Sequence, residues 1–135
     1  MADRRSRGII DTSVLVDLEN VELADLPHEL TISAVTLAEL AAGPHAAGSV
    51  AERAARQDRL QRTEAAFDPM PFDAAAARAY GRVYAAVISA GRKARGARAV
   101  DLLIAATAAA NELPLYTRNP DDFRGLDGVV EIVAV

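Results

Sequence analysis

Gly8-Ile9-Ile10-Asp11-Thr12-Ser13-Val14-Leu15 is the stretch from which the fold follows. Gly8 to Ile10 is a short apolar run, the pattern of a strand buried on both faces. Asp11, Thr12 and Ser13 then offer three successive helix N-caps, and Val14 to Leu18 continues as one or two helical turns. A strand that passes through an acidic residue into a helix is the opening of a β-α unit.

The same alternation recurs outward from that stretch. Leu30-Thr31-Ile32 reads as a second strand, Ser33 caps a helix from Ala34 to about Ala42, and Gly43-Pro44 stops it. Gly48 to Phe67 is helical but weakly amphipathic. Glu52 with Arg56 and Asp58 with Arg62 make i,i+4 pairs there, so much of it faces solvent. Asp73 caps a clearer helix that ends at Gly91, with Ala77, Tyr80, Val83, Tyr84, Val87 and Ile88 on one face. After the basic stretch Arg92 to Arg98, a helix from about Ala99 to Glu112 is apolar on nearly every side and is therefore central. Pro114 to Thr117 and Val129 to Val133 read as strands. Short strands alternating with longer helices predict an α/β fold with a short parallel sheet flanked by helices.

Composition bounds the function. A chain of 135 residues fits one domain, 1–135, and no linker, repeat or low-complexity segment divides it. A net charge of −4 argues against nonspecific nucleic-acid binding by the whole surface but permits a local basic strip. Without cysteine there is no disulfide and no thiolate metal site, which suits a reducing cytoplasm. The apolar run before Asp11 is too short for a signal peptide, and Leu102 to Ala110 is too short to span a bilayer. A cytoplasmic protein without membrane contact is expected.

Four carboxylates stand in apolar company: Asp11, Glu39 within Val35-Thr36-Leu37-Ala38-Glu39-Leu40, Asp101 opening Asp101-Leu102-Leu103-Ile104-Ala105-Ala106, and Asp122 after Thr117-Arg118-Asn119-Pro120-Asp121. Each has a structural reading as well. Asp11 is a good N-cap, Asp101 near a helix start suits the helix dipole, Glu39 reads as a solvated side chain, and Asp122 as part of a capped turn. Together they read differently. Parallel sheets bind ligands beyond the carboxyl ends of their strands, and all four positions belong at that edge if the strands are parallel. Two carboxylates about 4 Å apart repel by roughly 4 kcal/mol at an effective dielectric near 20, so a cluster needs a cation. All-oxygen ligation selects a hard ion, Mg²⁺ or Mn²⁺. His28 and His45 match no ligand spacing and read as surface residues.

Ile9-Ile10-Asp11-Thr12-Ser13-Val14-Leu15, Ala38-Glu39-Leu40, Asp101-Leu102-Leu103-Ile104-Ala105-Ala106 and Thr117-Arg118-Asn119-Pro120-Asp121-Asp122-Phe123 resemble the successive motifs of PIN-domain ribonucleases, and most of all those of VapC toxins. The resemblance covers nearly the whole chain in order. It implies a three-layer α/β/α fold and a Mg²⁺- or Mn²⁺-dependent endoribonuclease whose products carry a 5′-phosphate and a 3′-hydroxyl. It places Asp11, Glu39 and Asp101 on three acidic positions and Asp122 on a more variable fourth, with Asp121 and Asn119 as rivals. Thr12 and Thr117 fall on hydroxyl positions that support the acidic cluster. It further implies a homodimer and a VapB-type antitoxin. That partner is expected to lie over Val14 to Leu18 and the Gly48 to Phe67 helix, with an arginine among Asp11, Glu39 and Asp101.

RNA reaching an acidic cleft needs positive charge nearby. Arg92, Lys93, Arg95 and Arg98 lead into Asp101, and Arg118 stands beside the fourth motif; the plainer reading is a solvated charge run. Other classes fit less well. A hydrolase of the haloacid-dehalogenase kind expects a second aspartate where Ser13 stands, a receiver domain needs a lysine other than Lys93, and no Gly-x-x-x-x-Gly-Lys loop is present. A non-catalytic RNA- or protein-binding module on the same fold is the alternative to an enzyme. No motif specifies the RNA target.

Overall fold

In the computed structural model, which describes residues 4–135, four strands form one sheet. The strands are β1 (Arg7–Ile10), β2 (Glu29–Thr31), β3 (Leu115–Thr117) and β4 (Ile132–Ala134), in the order β2-β1-β3-β4. Every neighbouring pair is parallel, with Ile9 opposite both Thr31 and Leu115. Five α-helices accompany the sheet: α1 (Thr12–Val16), α2 (Ala34–Ala42), α3 (Val50–Ala66), α4 (Ala74–Ser89) and α5 (Ala97–Ala110).

Alternation along the strands splits the core in two. Ile9 and Leu115 join Val83 and Val87 of α4 with Leu102 and Ile104 of α5 on one side. Ile10 and Tyr116 join Val14, Leu15, Ile32 and Leu40 on the other, with Leu60 of α3 and Phe67, its C-cap, packed against them. The result is a three-layer α/β/α arrangement. Leu102 and Ile104 are fully buried, each worth about 1.5–3 kcal/mol of burial. Gly8 is required by this packing, because a Cβ there would lie 2.6 Å from Cε1 of Tyr116. No helix among the described residues is long and apolar enough to cross a membrane.

Several boundaries differ from the sequence reading for identifiable reasons. α1 begins at Thr12 because Asp11 is the residue that caps it, and it yields after Val16 to 3-10 turns at Leu18–Asn20 and Leu23–Asp25. β2 ends one residue early, since the Ile32 carbonyl accepts from the Met70 amide at 2.8 Å and Ser33 bridges to Met70. On α4 the buried stripe is Ala76, Ala79, Val83 and Val87, whereas Ala77, Tyr84 and Ile88 are exposed. Alanine at the contact lets α4 approach α5 closely, which turns the larger side chains to the flank.

α5 starts two residues early, after Gly96 takes a left-handed φ of 74° that turns the basic loop into the helix. Asp101 therefore sits a full turn inside α5, where the dipole effect has largely faded. β4 starts three residues late because Val129 and Val130 amides both donate back to the Leu126 carbonyl. Because every strand pair is parallel, β1, β2 and β3 deliver their following residues to one edge.

Candidate active site

Asp11 leaves β1 at that edge and is only 4% exposed. Its Oδ1 accepts the Val14 amide at 3.1 Å, which caps α1, and the Ser13 hydroxyl at 2.6 Å. The capping role is thus real, and it uses one oxygen. Oδ2 has no partner among the described residues, and no fully buried side-chain oxygen there lacks one. Oδ2 therefore reaches solvent.

Glu39 lies on the second turn of α2 and is exposed, so the solvated reading describes its surroundings. It is nevertheless held: Thr12 donates to its Oε1 at 2.5 Å and lies 3.1 Å from Oγ1 of buried Thr36. Asp101 is half-buried, and its carboxyl is pushed up to about 6 from an ordinary 3.8. Desolvation is the largest cause, followed by the charges of Asp122, Asp11 and Glu39, with Arg98 opposing them. The four carboxylates thus share one electrostatic neighbourhood. None of them makes an ion pair among the described residues.

The fourth motif turns sharply after β3. Thr117 accepts the Asn119 amide at 3.0 Å and so shapes this turn, and does not reach a carboxylate. Asn119 makes no side-chain cap for the 3-10 turn Pro120–Phe123 that follows. Asp121 points away, exposed and paired with Arg124 at 2.8 Å, and that pairing holds its carboxyl below the usual range. Asp122 is half-buried and lines the cleft with Asp101.

Arg92, Lys93, Arg95 and Arg98 line the same open groove, about 550 Å³ in volume, together with Asp101 and Asp122. Arg92 also donates to the Asp121 carbonyl at 2.6 Å, tying the basic loop to the fourth motif. Arg118 does not join them: its Nε pairs with Oδ2 of Asp17 at 3.2 Å. Ser13 was not among the expected site residues, yet it touches Asp11 directly. Its place within Asp11-Thr12-Ser13 suggested only a cap. His28 and His45 are exposed, as read.

Residues 9–129 match the PIN domain family. This chain is a PIN domain protein. It is similar to Ribonuclease VapC5 of Mycobacterium tuberculosis, 37% identical over the whole of both chains. It is also 37% identical to Ribonuclease VapC8 of the same organism, over 75% of this chain and 89% of that one. The crystal structure of VapBC-5, a member of the VapBC family of toxin-antitoxin systems from M. tuberculosis, matches with a TM-score of 0.81 and 37% identity, covering 96% of this chain and 99% of that chain.

The donor chemistry of this PIN site fits a hard divalent ion: oxygen ligands only, an Asp11 Oδ2 without a partner, and mutual repulsion that Arg98 offsets only in part, with no ion pair to any of the four carboxylates among the described residues. The geometry is not closed, since among the described residues no three acidic or histidine side chains converge on one point as they lie.

The raised Asp101 carboxyl has a consequence for the metal-free PIN domain. Between the unfolded and folded values the native state holds a proton that the unfolded chain has released. The associated stability is fully present below about pH 4 and is lost as pH rises through about 6. In excess chelator, Asp101→Asn should melt at a higher temperature than wild type at pH 7, with the gap closing by pH 4. A pH-independent offset between the two proteins in thermal denaturation would contradict this origin of the shift.

Proposed function

We propose that this chain is a Mg²⁺- or Mn²⁺-dependent endoribonuclease toxin of the VapC kind, one PIN domain long, acting in the cytoplasm and restrained by a VapB-type antitoxin. The observation that carries the reading is four electrostatically coupled carboxylates, without ion-pair partners among the described residues, two of which, Asp101 and Asp122, line a groove with four basic residues. The name of its full-length relative, Ribonuclease VapC5, and the VapBC-5 structure support it.

Asp11 and Asp101 would hold the main ion, Asp11 through the oxygen its cap leaves free. Glu39 would complete the ion's shell or orient the attacking water, and Asp122 would steady a second ion or a water. The bound ion supplies polarisation of a phosphate oxygen and a water acidic enough to furnish hydroxide near neutral pH. Lys93, Arg95 and Arg98 would draw the RNA backbone along the groove and offset the repulsion between phosphates and the acidic edge. With few aromatic residues available, recognition would depend on RNA shape and backbone.

The antitoxin reading has a matching surface. Leu15, Val16, Leu18 and Phe67 line an open groove between the early helices and α3, with Arg59 and Arg62 at its side. An amphipathic antitoxin segment would lie there and direct an arginine into the carboxylates, where a guanidinium can replace the cation. A homodimer would set two such sites in one groove.

Asp11→Asn, Glu39→Gln and Asp101→Asn should each lower divalent-dependent RNA cleavage by more than about 100-fold, beyond the effect typical of residues that only support a metal ligand, while the proteins stay folded. Asp122→Asn should cost less. Sequencing RNA ends after brief expression of wild type and Asp11→Asn would display the cut sites. Wild-type cleavage that survives excess chelator would refute the mechanism.

Arg95→Gln with Arg98→Gln should weaken RNA binding and flatten its logarithmic salt dependence by roughly 1.4, the value for two lost contacts to a single strand. Metal affinity should hold. An unchanged slope would mean that these two arginines do not contact phosphate.

A further inference from the structure

Ser13 occupies a position that no simple cap requires. Asp11 already caps α1 by accepting the Val14 amide at 3.1 Å. The Ser13 hydroxyl adds a second donor to the same Oδ1 at 2.6 Å, and its own oxygen accepts the Arg118 amide at 3.1 Å. A hydroxyl has one proton and two lone pairs, and a carboxylate only accepts. The direction of the relay is therefore fixed: Arg118 N–H to Ser13 Oγ, then Ser13 O–H to Asp11 Oδ1.

The relay joins segments that are 105 residues apart in the chain. It lies next to a backbone bond from the Asp11 amide to the Tyr116 carbonyl at 3.0 Å and to the Arg118–Asp17 ion pair at 3.2 Å. One residue further on, the Asn119 amide bonds to Thr117 and the Asn119 carbonyl accepts the Asp122 amide at 3.0 Å. The loop that carries Asp122 is thus fastened to the loop that carries Asp11, and in that fastening the Ser13 side chain bonds directly to a carboxylate of the acidic cluster. With two donors on Oδ1, the Asp11 carboxylate cannot rotate freely, and Oδ2 is left without a partner among the described residues and open to solvent.

We propose that Ser13 is a positioning residue for the acidic site: it holds Asp11 so that a single oxygen meets the cation, and it sets the separation of the Asp11 and Asp122 loops. The inference rests on the metal-dependent reading above and concerns affinity for the ion, apart from turnover. Outer hydrogen-bond partners of metal ligands act in this way, fixing the orientation of the ligating group.

The test is a titration of purified full-length protein with Mn²⁺, followed by electron paramagnetic resonance, without RNA. Ser13→Ala should raise the Mn²⁺ dissociation constant about 10–100-fold. Ser13→Thr, which keeps the hydroxyl, should restore most of the affinity. Asp17→Asn breaks only the outer ion pair and should leave affinity near that of wild type, a pattern that a general loosening of α1 would not produce. Ser13→Ala with wild-type affinity would overturn the inference. A readout on the wild-type protein guards against a variant that fails to fold: saturating Mg²⁺ should slow hydrogen exchange at the Arg118 amide, because fixing Asp11 fixes the relay, and unchanged exchange would overturn it equally. Wild type that binds no Mn²⁺ would remove the metal-dependent reading, and this inference with it.

Discussion

Repulsion among Asp11, Glu39, Asp101 and Asp122, none of which makes an ion pair among the described residues, is the constraint around which this molecule is arranged. Burial of Asp101, and after it the like charges of Asp122, Asp11 and Glu39, raise the free energy of the folded chain, and the cost registers in a carboxyl pushed up to about 6. Something else must hold them in place. The all-parallel sheet does so in the large, because β1, β2 and β3 end at one edge and the buried helix α5 brings Asp101 to it. Hydroxyls do so in detail: Ser13 holds Asp11, and Thr12 holds Glu39.

The second feature is the contact between acid and base. Arg92 donates to the Asp121 carbonyl, so the basic loop before α5 and the turn bearing Asp122 are packed as one wall. Arg124 pairs with Asp121 and Arg118 with Asp17. These pairings take neighbouring acids and bases out of play and leave the cleft carboxylates unpaired. A site that neutralised itself with its own arginines would have little affinity for a cation. Here the positive charge of Arg95 and Arg98 stands along the groove, suited to a polyanion approaching a metal-bearing edge.

Much of this was legible in the sequence because the signals were local. Ser33 and Gly43-Pro44 bracket α2 so clearly that its bounds, Ala34–Ala42, are as read. Alternating strands and helices gave the parallel sheet, and carboxylates inside apolar runs marked the cleft. What was not legible depended on the tertiary fold. The buried stripe of α4 is turned because alanine packs against α5, and the early start of α5 depends on the φ of Gly96. Asp122 reads as the fourth position with Asp121 as a rival, and the Arg124 pairing that turns Asp121 outward was not legible; nor was the bond that brings the Arg118 amide to Ser13 from across the chain. Arg118, read as a candidate for RNA, is held by Asp17, a contact that neither motif discloses alone.

The most direct test of the central claim is the number of protons released when Mn²⁺ binds, obtained by calorimetry in buffers of different ionisation enthalpy. Metal ligation requires the carboxylate form, so binding must displace whatever proton Asp101 retains. With that carboxyl at about 6, roughly half a proton should leave near pH 6 and almost none near pH 8. Asp101→Asn should abolish the pH dependence of the release. Mn²⁺ binding with the same proton count at both pH values, or no binding at all, would contradict a shared carboxylate site that a cation neutralises.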